Sequence, residues 1–234
     1  MRVDIITIFP EFFSGPFNCG VIRIAQEKNA VRLNLINLRD FATDAYRTVD
    51  DYPYGGFPGM ILKPEPIFKA AESVKQQDSY IILLSPQGRV LNQSIILELS
   101  KKSHLILICG RYKGVDERVR QHLINDEISI GDYILSGGEV AALVLIESIV
   151  RLLPNVVGDK ESLASDSFIS GLLDAPYYTR PQNFRGYKVP EILISGNHQK
   201  IKEWRDMMAL KLTKEKRPDL LKSEHQDDKT KKKK

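Results

Sequence analysis

The spacing of apolar and polar residues changes repeatedly along the first two thirds of the chain. Between residues 31 and 38 the two kinds alternate, which is the period-two pattern of a half-buried strand. Further strands are predicted at 3–9, 80–84, 104–109 and 127–130. Helices are predicted at 20–28, 65–76, 93–101, 115–123 and 138–153. Strands that alternate with helices predict an α/β fold with a mainly parallel sheet.

The pattern also suggests how the chain is divided. Helix-forming residues end at Pro154, and the polar stretch that follows has no periodicity. We therefore predict a domain at 1–153, a flexible linker at 154–170 and a smaller, mostly helical domain at 171–221. In the second domain a helix is predicted at 198–212 with Asn197 as its N-cap. Residues 222–234 are rich in lysine and low in complexity, which predicts a disordered tail.

Three of the predicted strands end in glycine-bearing loops. The strand at 80–84 leads into SPQG, the strand at 104–109 into GRYKG, and the strand at 127–130 into GDYILSGG. Glycines placed directly after buried strands allow the backbone to approach a ligand without a Cβ in the way. A strand-to-helix turn needs glycine anyway, and that explanation suffices for any one of the loops. The three loops together predict a pocket for one small molecule.

The composition of these loops restricts the kind of ligand. Neither the dinucleotide pattern G-x-G-x-x-G nor the phosphate-loop pattern G-x-x-x-x-G-K-[ST] occurs in them. Glycine, tyrosine and leucine suit a flat, mostly uncharged adenosine group that is held by stacking and main-chain hydrogen bonds. A nicotinamide-dependent dehydrogenase is disfavoured for the same reason.

Charge and cysteine content add two expectations. The net charge is +4, but the lysine-rich tail at 222–234 supplies +3 of it, so any RNA-binding surface has to be a local patch. The two cysteines, Cys19 and Cys109, form neither a metal-binding spacing nor a disulfide framework, which fits a reducing cytoplasm. No apolar run has the length of a membrane span, and the first residues lack the features of a secretion signal.

Several longer motifs resemble one protein family. ICGRYKGVDERV and SIGDYILSGGE resemble the cofactor region of the bacterial tRNA (guanine-N1-)-methyltransferases, which belong to the SPOUT, or knotted, methyltransferase superfamily. The resemblance extends through DIITIFPEFF, RTVDDYPYGGFPGM, LLSPQGR, DSFISGLLDAPYYTRP and VPEILISGNHQKIKEWR, and covers residues 1 to 221. It implies a deep trefoil knot that holds S-adenosylmethionine, and a homodimer with a shared active site. The implied reaction is methylation of N1 of the guanosine at tRNA position 37, next to the anticodon.

The resemblance also assigns catalytic roles. Asp166 matches the family's general base, and Arg151 matches the arginine that stabilises negative charge on guanine O6. Each residue has a simpler interpretation, since Asp166 could be a helix N-cap and Arg151 an ordinary basic residue near a helix C-terminus.

Further residues match the family's binding positions. The cofactor-binding residues implied in this way are Leu84, Ser85, Pro86, Gly110, Tyr112, Ser129, Ile130, Gly131, Asp132, Tyr133, Ile134, Leu135, Gly137 and Gly138. The RNA-binding residues implied are Asp50, Gly55, Gly56, Gly59, Asn197, Lys200 and Arg205. Two alternatives stay open, because Asp132 could be a turn residue and Trp204, beside these cations, could anchor a small core.

Two positions depart from the family pattern. Lys113 stands where the family usually has a glutamate near a site in which a divalent cation is implicated, so a Mg²⁺ site is in doubt here and no metal ligand is predicted. Phe57 stands where glycine is usual, and we expect the substrate loop to close differently around the base. The alternative functions are a knotted methyltransferase with another target position and a catalytically weak RNA-binding relative.

Overall fold

The computed structural model describes residues 1–158 and 166–221. The chain divides into two compact units, Met1–Gly158 and Asp159–Lys234, and the division falls inside the predicted linker. The predicted tail at 222–234 lies outside the described residues, so its disorder stays a prediction. The predicted domain limits and the flexibility of the linker also stay predictions.

The first unit is built on a parallel sheet of five strands in the order β2-β1-β6-β5-β7. The strands are β1 (Arg2–Thr7), β2 (Arg32–Asn37), β5 (Ser79–Val90), β6 (His104–Cys109) and β7 (Asp126–Ser129). All four neighbouring pairs are parallel, which confirms the predicted α/β class. The trefoil knot stays a prediction.

Helices cover both faces of this sheet, as its buried strands require. They are α1 (Gly20–Glu27), α2 (Pro64–Val74), α3 (Gln93–Leu99), α4 (Glu117–His122) and α5 (Glu139–Val150). Residues from α1, α3 and α5 form one hydrophobic cluster with alternate residues of the strands, and residues from α2 and α4 form a second cluster with the others. Strand β6 at the centre is buried along its whole length.

Two segments differ from the expected pattern. Strand β5 runs six residues beyond the predicted end at Leu84, because Arg89 and Val90 pair again with β7 after a shift of register. Arg89 holds this second stretch by bonding to the carboxylates of Asp126 and Glu98. The segment between the predicted strand at 31–38 and the predicted helix at 65–76 also contains a small antiparallel pair, β3 (Asp50–Asp51) and β4 (Ile61–Leu62).

The second unit contains a hairpin and a long helix. The hairpin is formed by β8 (Asn183–Phe184) and β9 (Tyr187–Lys188), and two helices follow, α6 (Glu191–Ile194) and α7 (His198–Lys216). The side chain of Asn197 accepts a hydrogen bond from the backbone N–H of Lys200 at 3.1 Å, so the predicted N-cap is confirmed. Helix α7 extends four residues past its predicted end. Within the described ranges, no helix has the length and apolarity to cross a membrane.

Candidate active site

A cavity of about 670 Å³ lies at the carboxyl ends of β6 and β7 and beside residues 83–87, where the first stretch of β5 ends before its shift of register. Ligands bind at this edge in open parallel sheets. The three glycine-bearing loops form its wall. All but one of the predicted cofactor-binding residues line it: Leu84, Ser85, Pro86, Gly110, Tyr112, Ser129, Ile130, Gly131, Tyr133, Ile134, Leu135, Gly137 and Gly138. Asp132 is the exception, since it is exposed in the turn between Gly131 and Tyr133 and does not line the cavity.

Gly138 lies where two of the loops touch. Its backbone N–H donates to the carbonyl of Gly110 at 2.8 Å, and a Cβ at Gly138 would come within 2.8 Å of the Cα of Cys109. Backbone atoms cannot move aside as a flexible side chain can, so only glycine fits without a shift of one loop. Glycine at position 138 is therefore required for the packing of the two loops, whether or not a ligand contacts it.

Gly137 has a different requirement. A Cβ at this position would collide with the carboxylate of Glu139 and the guanidinium of Arg111. The sequence suggested that Gly137 leaves room for the ligand, but the atoms nearest to an added Cβ belong to the ion pair of Glu139 with Arg111. A larger side chain at Gly137 would disturb that ion pair first.

This ion pair was missed by the sequence analysis. Glu139 is 3% exposed and accepts a hydrogen bond from the Thr7 hydroxyl at 2.8 Å. The Nε atom of Arg111 lies 3.7 Å from the other carboxylate oxygen, and its guanidinium stacks over the Phe9 ring at 4.5 Å. The only local signal was an acidic residue directly after two glycines at a helix start. Burial, together with the charge of Glu139, raises the pKa of the Cys109 thiol well above its usual range.

The charged residues around the cavity are all cations. Arg111, Lys113 and Arg120 line it, and no acidic side chain does so within the described part of the chain. Arg120 is paired with Glu127 at 3.0 Å and with Glu117 at 3.3 Å. No ion-pair partner of Lys113 occurs among residues 1–158. A reaction that needs a carboxylate base in this cavity must therefore take it from outside the lining.

The two predicted catalytic residues lie in different units. Arg151 is the exposed C-cap residue of α5 in the first unit. Asp166 is half-buried in the second unit, and its carbonyl accepts the backbone N–H of Ile169 in a turn. Residues 167–170 form turns and no helix begins there, so the interpretation of Asp166 as a helix N-cap is wrong.

The predicted substrate loop, residues 50–60, is mostly exposed. Gly55, Gly56 and Gly59 all have positive φ angles, which explains why glycine is required at these turns. Gly59 also lines the cavity, whereas Asp50 belongs to strand β3. The three aromatic side chains of the loop project into solvent: Tyr52, Tyr54 and Phe57.

The remaining predicted RNA-binding residues belong to the second unit. Lys200 is exposed, and Arg205 donates to the Tyr177 hydroxyl at 2.9 Å and stacks on its ring. Trp204 is half-buried with its ring centroid 6.5 Å from that of Tyr178. Among the described residues, no group of His, Cys, Asp and Glu side chains has an arrangement that could hold a metal ion.

Fold and cavity together define an α/β protein with a site of small-molecule size at the carboxyl edge of a parallel sheet. The family model described as "tRNA (Guanine-1)-methyltransferase TrmD" matches residues 1–223. The chain belongs to this family, which confirms the resemblance drawn from its motifs and the class of enzyme that the motifs implied.

Individual relatives agree with the family match. A protein of Dictyoglomus turgidum is 59% identical over 94% of this chain and 90% of its own length. A protein of Geobacillus kaustophilus is 56% identical over 94% of this chain and 91% of its own length. A protein of Carboxydothermus hydrogenoformans is 54% identical over 95% of this chain and 88% of its own length. Each of the three is named tRNA (guanine-N(1)-)-methyltransferase.

Proposed function

We propose that this protein transfers a methyl group from S-adenosylmethionine to N1 of the guanosine at tRNA position 37, next to the anticodon. The observation that carries the proposal is the cavity at the carboxyl edge of the parallel sheet, with its wall of three glycine-bearing loops, in a chain of the TrmD family. The family supplies the reaction class, and the cavity supplies a site of suitable size.

The cavity residues fit such a cofactor. A volume of about 670 Å³ lies within the usual range of small-molecule sites. Leu84, Ile130 and Leu135 offer apolar surface for an adenine ring, and Gly110 and Gly138 bring backbone groups to the wall. When bound, S-adenosylmethionine supplies an electrophilic methyl group on a sulfonium centre, so the protein has to orient the acceptor and remove its proton.

Guanine N1 carries a proton and is a poor nucleophile until that proton leaves. As it leaves, negative charge spreads towards O6, so the reaction needs a base near N1 and a cation near O6. We assign the base to Asp166 and the cation to Arg151. The absence of acidic side chains from the described cavity lining supports a base that comes from another part of the assembly.

We further propose a homodimer in which each active site combines the cofactor loops of one subunit with Asp166 of the other. Helix α5 is apolar around much of its circumference, and its outward residues Val140 and Val144 are 42% and 40% exposed. Phe12 exposes a further apolar side chain. Apolar residues that a monomer leaves exposed support an isologous contact between two copies.

In this proposal the domain predicted at 171–221, which lies within the second unit, binds tRNA in the cytoplasm. Lys200 and Arg205 on α7 offer positive charge for phosphates, and the loop at 50–60 offers exposed aromatic rings on which bases can stack. The cofactor cavity is assigned to a trefoil knot on the strength of the family resemblance.

The reaction is tested with labelled S-adenosylmethionine and unmodified tRNA transcripts that carry guanosine at position 37. A matched transcript with adenosine at that position is the control, and the products are digested and analysed as nucleosides. We expect N1-methylguanosine from the first transcript and no methylated nucleoside from the control. Label at another position, or no label with several tRNA species, would overturn the assignment.

The shared active site is tested by co-expression of two inactive variants, Asp166→Asn and Gly138→Val, with different affinity tags. A heterodimer of these chains has one site with an intact loop and an intact Asp166. We expect purified heterodimers to recover methyl transfer, whereas each homodimer stays inactive. Inactive heterodimers that bind tRNA normally would rule out the shared site.

A further inference from the structure

We propose that Glu139 and Arg111 are positioning residues that hold two cofactor loops in their binding arrangement, with Thr7 as their anchor on the sheet. Thr7 is the last residue of β1, Arg111 belongs to the loop after β6, and Glu139 is the first residue of α5. These three residues are called the Thr7–Glu139–Arg111 cluster below. The inference rests on the proposed function, since it concerns the site that would bind S-adenosylmethionine.

Arg111 connects the two loops directly. Its Nη1 atom donates to the carbonyl of Ser136 at 3.0 Å, and its backbone forms an antiparallel bridge with Gly137. The adjacent hydrogen bond from Gly138 to Gly110 joins the same two segments. Arg111, Ser136 and Gly137 all line the cavity, so a displacement of Arg111 would move two parts of its wall.

Glu139 acts through Arg111 and does not line the cavity itself. Its carboxylate faces the guanidinium on one side and the Thr7 hydroxyl on the other. The hydroxyl oxygen of Thr7 also accepts the backbone N–H of Phe9 at 3.0 Å, which fixes the direction of its proton towards Glu139. Glu139 is also the first residue of α5, a position where the helix dipole attracts negative charge.

The arrangement leaves Arg111 dependent on this carboxylate. Its Nε atom is buried and forms no hydrogen bond within the described residues. The Glu139 carboxylate at 3.7 Å is the opposite charge that lies beside this atom. A neutral group at position 139 would leave a partly buried guanidinium without a counter-charge. The guanidinium would then turn towards solvent and release the carbonyl of Ser136. We therefore expect removal of the charge at position 139 to weaken cofactor binding and to leave the rate of the chemical step nearly unchanged.

The test begins with Glu139→Gln, which keeps the shape of the side chain and an acceptor for Thr7 but removes the charge. Calorimetric titration with S-adenosylmethionine should give an affinity about tenfold weaker than that of the native protein. The KM for the cofactor should rise by a similar factor, while kcat at saturating cofactor stays close to the native value. An unchanged KM, or a loss confined to kcat, would overturn the proposal.

A double-mutant cycle separates positioning from direct ligand contact. Arg111→Gln and the double variant Arg111→Gln, Glu139→Gln should bind the cofactor equally weakly, because Glu139 has no role once Arg111 is gone. Additive losses would show that Glu139 acts independently of Arg111 and would sink the proposal. If Glu139→Gln does not fold, Thr7→Val tests the same anchor, and native cofactor affinity in that variant is the contrary result.

The matched control is Asp4→Asn. It neutralises a second buried carboxylate, which belongs to β1 and lies away from the cavity. It should lower thermal stability and leave cofactor affinity unchanged. A loss of affinity in Asp4→Asn equal to that in Glu139→Gln would assign the effect to general destabilisation. Failure of the native protein to bind S-adenosylmethionine would instead refute the proposed function.

Discussion

At each end of the central sheet a buried carboxylate lies beside an arginine, Asp4 at the amino end and Glu139 at the carboxyl end. The two carboxylates differ in the number of their polar partners and in the distances to them. At the amino end, Asp4 is contacted by three partners, since Asn34 donates at 2.7 Å, His104 Nε2 lies at 2.7 Å and Arg2 Nη2 at 2.8 Å. At the carboxyl end, Glu139 has the Thr7 hydroxyl at 2.8 Å and Arg111 only at 3.7 Å. The amino end is thus the more completely bonded of the two.

The difference follows from the roles of the two ends, since the amino end joins strands and the carboxyl end borders the cavity. The cluster around Asp4 joins three neighbouring strands, β1, β2 and β6, and none of its residues lines the cavity at the carboxyl end. The Thr7–Glu139–Arg111 cluster stands behind loops that must leave room for a ligand, so fewer groups can surround the carboxylate. Residues that bind ligands are drawn from the less constrained parts of a structure. We therefore expect substitutions at the amino end to affect stability and those at the carboxyl end to affect binding.

The largest effect is expected at Asp166, the proposed base, which belongs to neither end of the sheet. The described cavity lining contains cations but no carboxylate, so Asp166→Asn should lower the single-turnover rate by on the order of a hundredfold or more. Cofactor affinity should persist. The matched control is Asp219→Asn, an exposed carboxylate of the same unit, which should react at the native rate. A near-native rate for Asp166→Asn would show that Asp166 is not the base.

At the amino end, Asp4→Asn should lower the free energy of unfolding by about 3 kcal/mol, because it leaves Arg2 without its buried counter-charge and disturbs the contact with His104. Urea denaturation followed by circular dichroism measures this change. Asp78→Asn, an exposed carboxylate that bonds to Ser103 near the same end, is the control and should have a much smaller effect. Equal stability of the Asp4 variant and the native protein would remove the proposed contrast between the two ends.

At the carboxyl end, Gly138→Ala should weaken cofactor binding by roughly tenfold, since overpacking against a fixed backbone costs about 1 to 3 kcal/mol. The added Cβ would meet the backbone of Cys109 and Gly110 and push two cavity loops apart. Gly15→Ala is the control, because no atom lies within 4 Å of its added Cβ. Undiminished affinity in the Gly138 variant would show that the loops tolerate separation.

The smallest expected effect concerns Lys113. A lysine cannot coordinate a divalent cation, and its ammonium repels one at contact distance. We expect a chelator to slow methyl transfer less in the native protein than in Lys113→Glu, as measured in single turnovers. Lys101→Glu, an exposed substitution away from the cavity, controls for the change in net charge. Equal inhibition of all three proteins would show that Lys113 does not replace a metal.

Most of the first unit followed from local pattern. Apolar runs of strand length, separated by helical segments, predicted the five strands of the parallel sheet, and β6 was predicted with the bounds that the structure has. The side chain of Asn197 indicated the start of α7, because an N-cap is a bond between neighbours in sequence. The three glycine-bearing loops were predicted to converge because the carboxyl ends of parallel strands lie at one edge of a sheet.

Other features required the tertiary structure. The second stretch of β5 depends on Asp126, which is 37 residues from Arg89, and no local pattern signals that pairing. Thr7 and Glu139 are 132 residues apart, so the sequence could not reveal their hydrogen bond. Nor could it show that Gly137 is needed beside the ion pair of Glu139 with Arg111. The sequence determined which segments form strands and which turns need the conformational freedom of glycine, because both depend on neighbouring residues. Only the folded chain decided which charges share a buried space, because burial and distance are properties of the packed sheet.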